Sequence, residues 1–228
     1  MNNHSVRRGV YRRPDDLSSN HGTSPTTPPR AGTDKRSAIL GAATRLIARL
    51  GLHNTPMSAL AREAGVATGT LYLYFPSKEA MINALFLELH RDREIAIAAA
   101  SHSGEPAPEV SHPELWRPWH ALARWHLDNP EGSSVLHQCQ ASGILTAETR
   151  AIQEREQAER FPRFEDIVAS GKLRDMPRQV FWALFAGPVL VLAQLRDAGE
   201  LEVTDEVLRA TYEGVCRSVM PAEDPYTS

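Results

Sequence analysis

Leu60-Ala-Arg-Glu-Ala-Gly-Val-Ala-Thr-Gly-Thr-Leu-Tyr-Leu-Tyr-Phe-Pro-Ser-Lys-Glu-Ala80 is the stretch that decides the fold of this 228-residue chain. Met57, Leu60, Ala61 and Ala64 fall at helical spacing and predict a short helix that Gly65 ends, because a left-handed residue is needed there. After Val66 and Ala67, Thr68 can cap a further short helix through Phe75, and Pro76 stops it. Ser77 caps the next helix, with Glu79 in the first turn where the helix dipole favours an anion. Leu71 and Phe75 are four apart and face inward together; Thr68, Gly69, Thr70, Tyr72 and Tyr74 then point outward. Those outward residues are small or hydrogen-bonding, with Leu73 the one large aliphatic among them.

Upstream, Ile39, Ala43, Leu46, Ile47 and Leu50 mark a helix from Asp34, with Gly51 just past its end. Thr55 offers a capping hydroxyl before Pro56 at the first helical position. Downstream, Met81, Ile82, Leu85, Phe86 and Leu89 continue the helix after Ser77 to about Ala100. Two short helices packed on a longer one through a tight glycine turn form a helix-turn-helix, here over residues 56–75. A helix with small residues at its N-terminus can approach a DNA major groove closely.

The elements Ala-Gly-Val (64–66), Gly-Thr-Leu-Tyr (69–72) and Phe-x-Ser-Lys-Glu (75–79) occur together, and the segment 34–92 resembles the DNA-binding domain of the TetR/AcrR family of bacterial transcriptional regulators. That resemblance implies an all-α chain: a three-helix helix-turn-helix domain over 34–92, then a helical ligand-binding and dimerisation domain over 93–228. It implies base-edge contacts at Thr68, Gly69 and Thr70, a phosphate contact at Tyr72, a groove-wall position for Tyr74 and a phosphate-binding Lys78. Thr55 and Ser58 flank the start of the helix that lies across the DNA backbone. Thr68 stands where the family often has lysine or arginine, which shifts the expected readout toward hydroxyls, methyl contacts and DNA shape.

The remainder reads as further helices: about 114–128, about 131–141, a long polar helix from Thr146 interrupted near Pro162 and ended by Gly171, an apolar helix from Pro177 to about Asp197, and a last one capped by Thr204. The total is about nine, with no strand-period segment of useful length. Trp116, Trp119, His120, Ala123 and His126, with His137, Phe164 and Trp182, are candidate lining for a ligand cavity, which the resemblance implies; taken singly, each reads first as helical core. The apolar helix calls for cover on every face, and an isologous two-fold homodimer is a natural cover. Phe181, Phe185, Val189 and Leu192, with Leu208, Tyr212 and Val215 of the last helix, are the candidate interface.

Residues 1–33 are rich in Ser, Thr, Gly and Pro, and hold five arginines against two aspartates; they read as a disordered basic arm. The overall charge is −3, with the basic excess in the first ninety residues, so a polyanion is expected to meet that part. Two cysteines exclude a disulfide framework and suit a reducing, cytoplasmic setting. The longest apolar run, Val180 to Ala193, is short for a membrane span. His120 and His126, and His137 and Cys139, have spacings that point them apart on a helix, so no metal and no cofactor are expected. Partners expected are duplex DNA with a near-palindromic operator, a second copy of the chain and a small apolar or aromatic effector whose binding releases a repressor. Alternatives are an enzyme with a helical catalytic body, against which no Gly-x-Ser-x-Gly, Walker A or dinucleotide motif appears, or a ligand-independent architectural DNA binder.

Overall fold

The backbone groups left unpaired at each helix end dictate where the helices begin and stop, and the chain uses its hydroxyls and glycines for this purpose. In the computed structural model, which describes residues 31–101, 108–160 and 164–221, every regular element among the described residues is an α-helix. In chain order these are α1 (Ala31–Leu50), α2 (Met57–Glu63), α3 (Thr68–Tyr74), α4 (Lys78–Ser101), α5 (Pro113–Asp128), α6 (Pro130–Ser142), α7 (Ala147–Arg160), α8 (Phe164–Ala169), α9 (Arg178–Asp197) and α10 (Asp205–Val219). The hydroxyls of Ser77, Thr146 and Thr204 accept from the N–H groups of Ala80, Thr149 and Val207 and cap α4, α7 and α10 as expected.

Two expected caps are corrected. Thr55 does not cap α2: Pro56 occupies that position without a side-chain bond, and the Thr55 hydroxyl turns back to donate to the Gly51 carbonyl at 2.8 Å. Thr68 is the first residue of α3, and Ala67 precedes it as an uncapped terminus. The expected count of about nine becomes ten among the described residues, because the polar helix interrupted near Pro162 is two elements, α7 and α8. The basic arm expected over 1–33 falls on residues 1–30, outside the described residues, and on the first residues of α1.

Two apolar clusters hold the helices. The first joins Ile39, Leu40, Ala43 and Ile47 of α1, Leu60 of α2, Leu71 of α3, and Met81, Ile82, Leu85 and Phe86 of α4. It also includes Val135, Leu136 and Cys139 of α6. The helix-turn-helix thus closes its core on a helix from the other half of the chain. Each fully buried Leu or Ile contributes about 1.5–3 kcal/mol, an upper estimate. Burial also pushes the Cys139 thiol up to about 12, so it stays protonated and behaves as a small apolar side chain.

The second cluster joins α5, α8, α9 and α10 around Trp119 and Tyr212. The Trp119 indole donates to the Phe185 carbonyl at 2.9 Å, and the Tyr212 hydroxyl donates to the His112 carbonyl at 2.6 Å. Pro188 lies inside α9, three residues beyond Phe185, where a proline weakens the carbonyl–amide ladder. The Trp119 bond satisfies one of the carbonyls next to that gap.

This packing overturns the expected interface set. Phe181, Phe185, Val189, Leu192, Leu208, Tyr212 and Val215 are all buried within the single chain, at 9% exposure or less. Helix α9 presents its other side instead: Val180 is 44% exposed and Val191 52%, with Leu184 and Leu195 half-buried on the same stripe. At 20 residues, α9 is by length and composition also long and apolar enough to cross a membrane, which corrects the shorter run read from the sequence. Its packing on α5 and α10 gives a core helix with one uncovered side.

Candidate nucleic-acid interface

The turn between α2 and α3 is a Schellman motif. Gly65, at φ 66°, follows Ala64; its N–H donates to the Arg62 carbonyl at 3.2 Å, and Val66 N–H donates to the Ala61 carbonyl at 2.9 Å. Gly65 carries the left-handed residue that the motif needs. From there α3 leaves at an angle fixed by two anchors, Leu71, fully buried, and Phe75, 3% exposed. The Arg36 guanidinium lies 5.5 Å over the Phe75 ring and pairs with Glu88 at 2.9 Å, joining α1 to α4 behind the anchor.

The opposite side of α3 is open. Thr68, Gly69, Tyr72 and Leu73 are exposed, Thr70 is half-buried, and Tyr74 is half-buried with its ring against the first cluster. Ser58, on the first turn of α2, is exposed beside them in sequence. Thr55 is fully buried and is removed from the set of contacts: its hydroxyl is spent on Gly51, and no phosphate can reach it. Leu73, which motif matching passes over, is 85% exposed. An isolated large aliphatic on the open side of a helix is free to make an apolar contact, the kind that can read a thymine methyl. The signal was in the sequence, as the only large aliphatic on the outward side.

Lys78, on the first turn of α4, reaches back to the His53 carbonyl at 3.4 Å. Partial burial lowers its pKa from the usual lysine value. The ammonium therefore sits beside the α1–α2 loop, close to α3 in sequence. Arg45 and Arg49 are drawn to Glu63 at 3.5 and 3.6 Å, leaving Arg62 exposed on α2.

A second feature lies in the body. A cavity of about 670 Å³ opens between α4, α5, α6, α7 and α9. Of the expected lining, His126, His137 and Trp182 are on its wall. Trp116, Trp119, His120, Ala123 and Phe164 are not. Trp119 and Ala123 are fully buried in the second cluster. His120 stacks on Trp116 at 4.8 Å, and Phe164 packs on Phe181 at 5.2 Å under the Arg178 guanidinium. Sequence reasoning missed the wall of α7, Gln153 and Gln157, whose four-residue spacing puts them on one face, and Gln140 of α6.

His126 bonds Ser133 through its Nδ1 and the Ser133 hydroxyl at 2.8 Å. Burial, with Arg93 nearby, pushes its pKa down to about 3, so the ring is neutral at physiological pH. Among the described residues, no group of three or more His, Cys, Asp or Glu is placed to hold a metal ion.

Comparison with known proteins matches residues 39–85 to the family described as bacterial regulatory proteins, tetR family. The fatty acid metabolism regulator protein of Bacillus subtilis is 46% identical over 54 residues, which are 24% of this chain and 28% of that protein. The HTH-type transcriptional regulator BetI of Agrobacterium fabrum is 36% identical over 90 residues, 37% of this chain and 44% of that protein. The matched stretch therefore spans less than half the length of these relatives. Among solved structures, a TetR family transcription regulator from Marinobacter aquaeolei superposes with a TM-score of 0.74 at 26% identity, covering 82% of this chain and 96% of that one. A tetR-family regulatory protein from Rhodococcus shares the fold, with a TM-score of 0.64 at 23% identity over 83% of this chain and 98% of that one.

Proposed function

We infer, for a chain whose residues 39–85 belong to the tetR family of bacterial regulatory proteins and whose helices follow the fold of solved members, a one-component transcriptional regulator that binds DNA sequence-specifically. The observation that carries this reading is the exposed side of α3: Thr68, Gly69, Tyr72 and Leu73 open to solvent on a helix anchored from behind by Leu71 and Phe75. Base readout falls to Thr68, Gly69, Thr70, Leu73 and Tyr74. Phosphate contacts fall to Ser58, Tyr72 and Lys78, which fix register without carrying sequence.

The working unit is a homodimer in the bacterial cytoplasm, closed over the uncovered stripe of α9 through Val180, Leu184, Val191 and Leu195. Two-fold symmetry then asks for a near-palindromic operator with half-sites roughly 34–36 Å apart or more. The cavity in the body receives a small effector, and repression is relieved when it binds. The link is α4, which carries Lys78 at one end and the cavity residues Arg93, Glu94 and Ile97 about 22–28 Å further along, at roughly 1.5 Å rise per residue. An effector with different affinity for two head spacings needs a coupling of only about 1–3 kcal/mol.

Selection of bound duplexes from a random pool at fixed salt tests the reading. Enrichment of an inverted repeat is expected. A pool that stays random while the protein remains folded rejects sequence-specific binding.

A further inference from the structure

The chemistry of the cavity wall narrows what can fill it, on the premise that this cavity is the effector site of the proposed regulator. Its charges are either paired or open to water. Arg93 donates to the Glu94 carboxylate at 3.2 Å and to His90, and burial lowers its pKa against the opposing pull of Glu94. Arg178 holds the Glu165 carboxylate through two contacts of 2.6 and 2.8 Å. His126 is neutral. The remaining charged lining residue, Glu154, is exposed and screened by water. A charged ligand entering this site would have to break the largely buried Arg93–Glu94 pair, displace Glu165 from the more exposed Arg178, or be desolvated without a counter-charge; the first and last are the costly routes.

The uncharged polar groups are in the opposite condition. The carboxamides of Gln140, Gln153 and Gln157 line the cavity from α6 and α7, and among the described residues they make no hydrogen bond. Each offers donors and an acceptor. Beyond Arg178 and Gln179 in its first turn, α9 supplies an apolar stretch of wall with Trp182, Phe185 and Leu190. The volume, about 670 Å³, lies within the ordinary range for a small-molecule site.

We propose that the cavity takes an uncharged amphipathic molecule, with its aliphatic or aromatic body against α9 and a carbonyl, amide or hydroxyl edge against the α6 and α7 carboxamides. This adds an uncharged polar edge to the small apolar or aromatic effector expected from the sequence.

The test uses the full chain and three probes with one tail and different heads: octanamide, octanoate and octyltrimethylammonium. Binding is read by titration calorimetry and by tryptophan fluorescence, with Trp182→Phe as the control for where the signal arises. Octanamide is expected to bind about tenfold more tightly than either charged probe, as one or two net hydrogen bonds predict. The double variant Gln153→Leu, Gln157→Leu is expected to erase that preference while retaining its helical circular dichroism. If that variant does not fold, the Gln140→Leu single variant, at an exposed position, is expected to reduce the preference. Octanoate or octyltrimethylammonium binding as tightly as octanamide overturns the proposal, as does binding of none of the three by folded protein. Selection of DNA is scored separately, so octanamide binding by a chain that enriches no operator rejects the regulator and leaves the cavity chemistry standing.

Discussion

The backbone N–H of Leu52 donates to the Gln138 carboxamide oxygen at 3.0 Å, tying the loop before α2 to the middle of α6. The same carboxamide donates to the Ser134 hydroxyl at 3.1 Å and to the Ile47 carbonyl at 3.5 Å. Leu52 is buried and its N–H bond to Gln138 is part-buried, so little water can replace the lost acceptor. Gln138→Ala is expected to cost about 1–3 kcal/mol, the penalty for an orphaned buried donor. Urea unfolding reads it; a loss under about 0.5 kcal/mol would show that the loop finds another acceptor.

Lys78→Ala is expected to weaken binding to all duplexes alike and to reduce the salt dependence by about one unit of slope. Titrations over a series of salt concentrations measure this. An unchanged slope removes Lys78 from the phosphate contacts and leaves its bond to His53 as its only role.

Leu73→Ala separates recognition from folding. The side chain is 85% exposed, so its loss leaves unfolding stability within about 0.5 kcal/mol. Operator affinity is expected to fall by about 1–2 kcal/mol, since burial of a leucine against DNA is lost. Replacing operator thymines by uracil should reproduce the loss in the parent protein and add nothing in the variant. Additive losses would place Leu73 away from any thymine methyl.

Gly65 and Gly69 should respond in opposite ways to alanine. At Gly65 an added Cβ meets nothing within 4 Å, yet φ is 66°, so Gly65→Ala is expected to cost about 1–2 kcal/mol of stability through backbone strain alone. At Gly69 an added Cβ also meets nothing, and the residue is helical, so Gly69→Ala should stabilise the fold by roughly 0.5–1 kcal/mol. Its methyl then stands on the exposed side of α3 proposed to meet DNA, and is expected to lower operator affinity. Paired melting and binding curves test both.

Acid stability should report His126. Its folded pKa is about 3, well below the ordinary histidine value, so between about pH 6.5 and 3 the unfolded chain takes up a proton that the folded chain does not. Stability is therefore complete above about pH 6.5 and falls as pH drops, by up to about 1.4 kcal/mol per unit from this residue. In His126→Gln that contribution is gone, and the gap between variant and parent should narrow from pH 7 toward about pH 4.5. A gap that stays constant would mean that the ring is protonated in the folded protein.

The helix-turn-helix was legible because its signals are local. Gly65, Pro76 and Ser77 fix ends within a few residues, and Leu71 with Phe75 reveals the inward side of so short a helix. Side-chain destinations in the body were not legible, because they depend on partners distant in the chain. Helix α9 is apolar on almost every face, so its sequence cannot say which stripe meets α5 and α10. Phe181, Phe185 and Val189 turned inward, Val180 and Val191 did not, and Leu184 lies between, half-buried against the second cluster. Trp119 alone reads as core but belongs to a stretch that also suits a cavity; its indole bond to the Phe185 carbonyl places it in the core. Gln153 and Gln157 belong to a polar helix that reads as a solvated one, and only the position of α7 over the cavity gives them meaning.

The presence of Val135, Leu136 and Cys139 in the same cluster as Ile47 and Leu60 has a practical consequence for anyone grafting this helix-turn-helix onto a foreign body. A cut at the end of the recognisable motif would strip away a supporting prop that sits some fifty residues downstream. Chimeras built at that seam would inherit a destabilised head, and functional exchange would require α6 to travel with it.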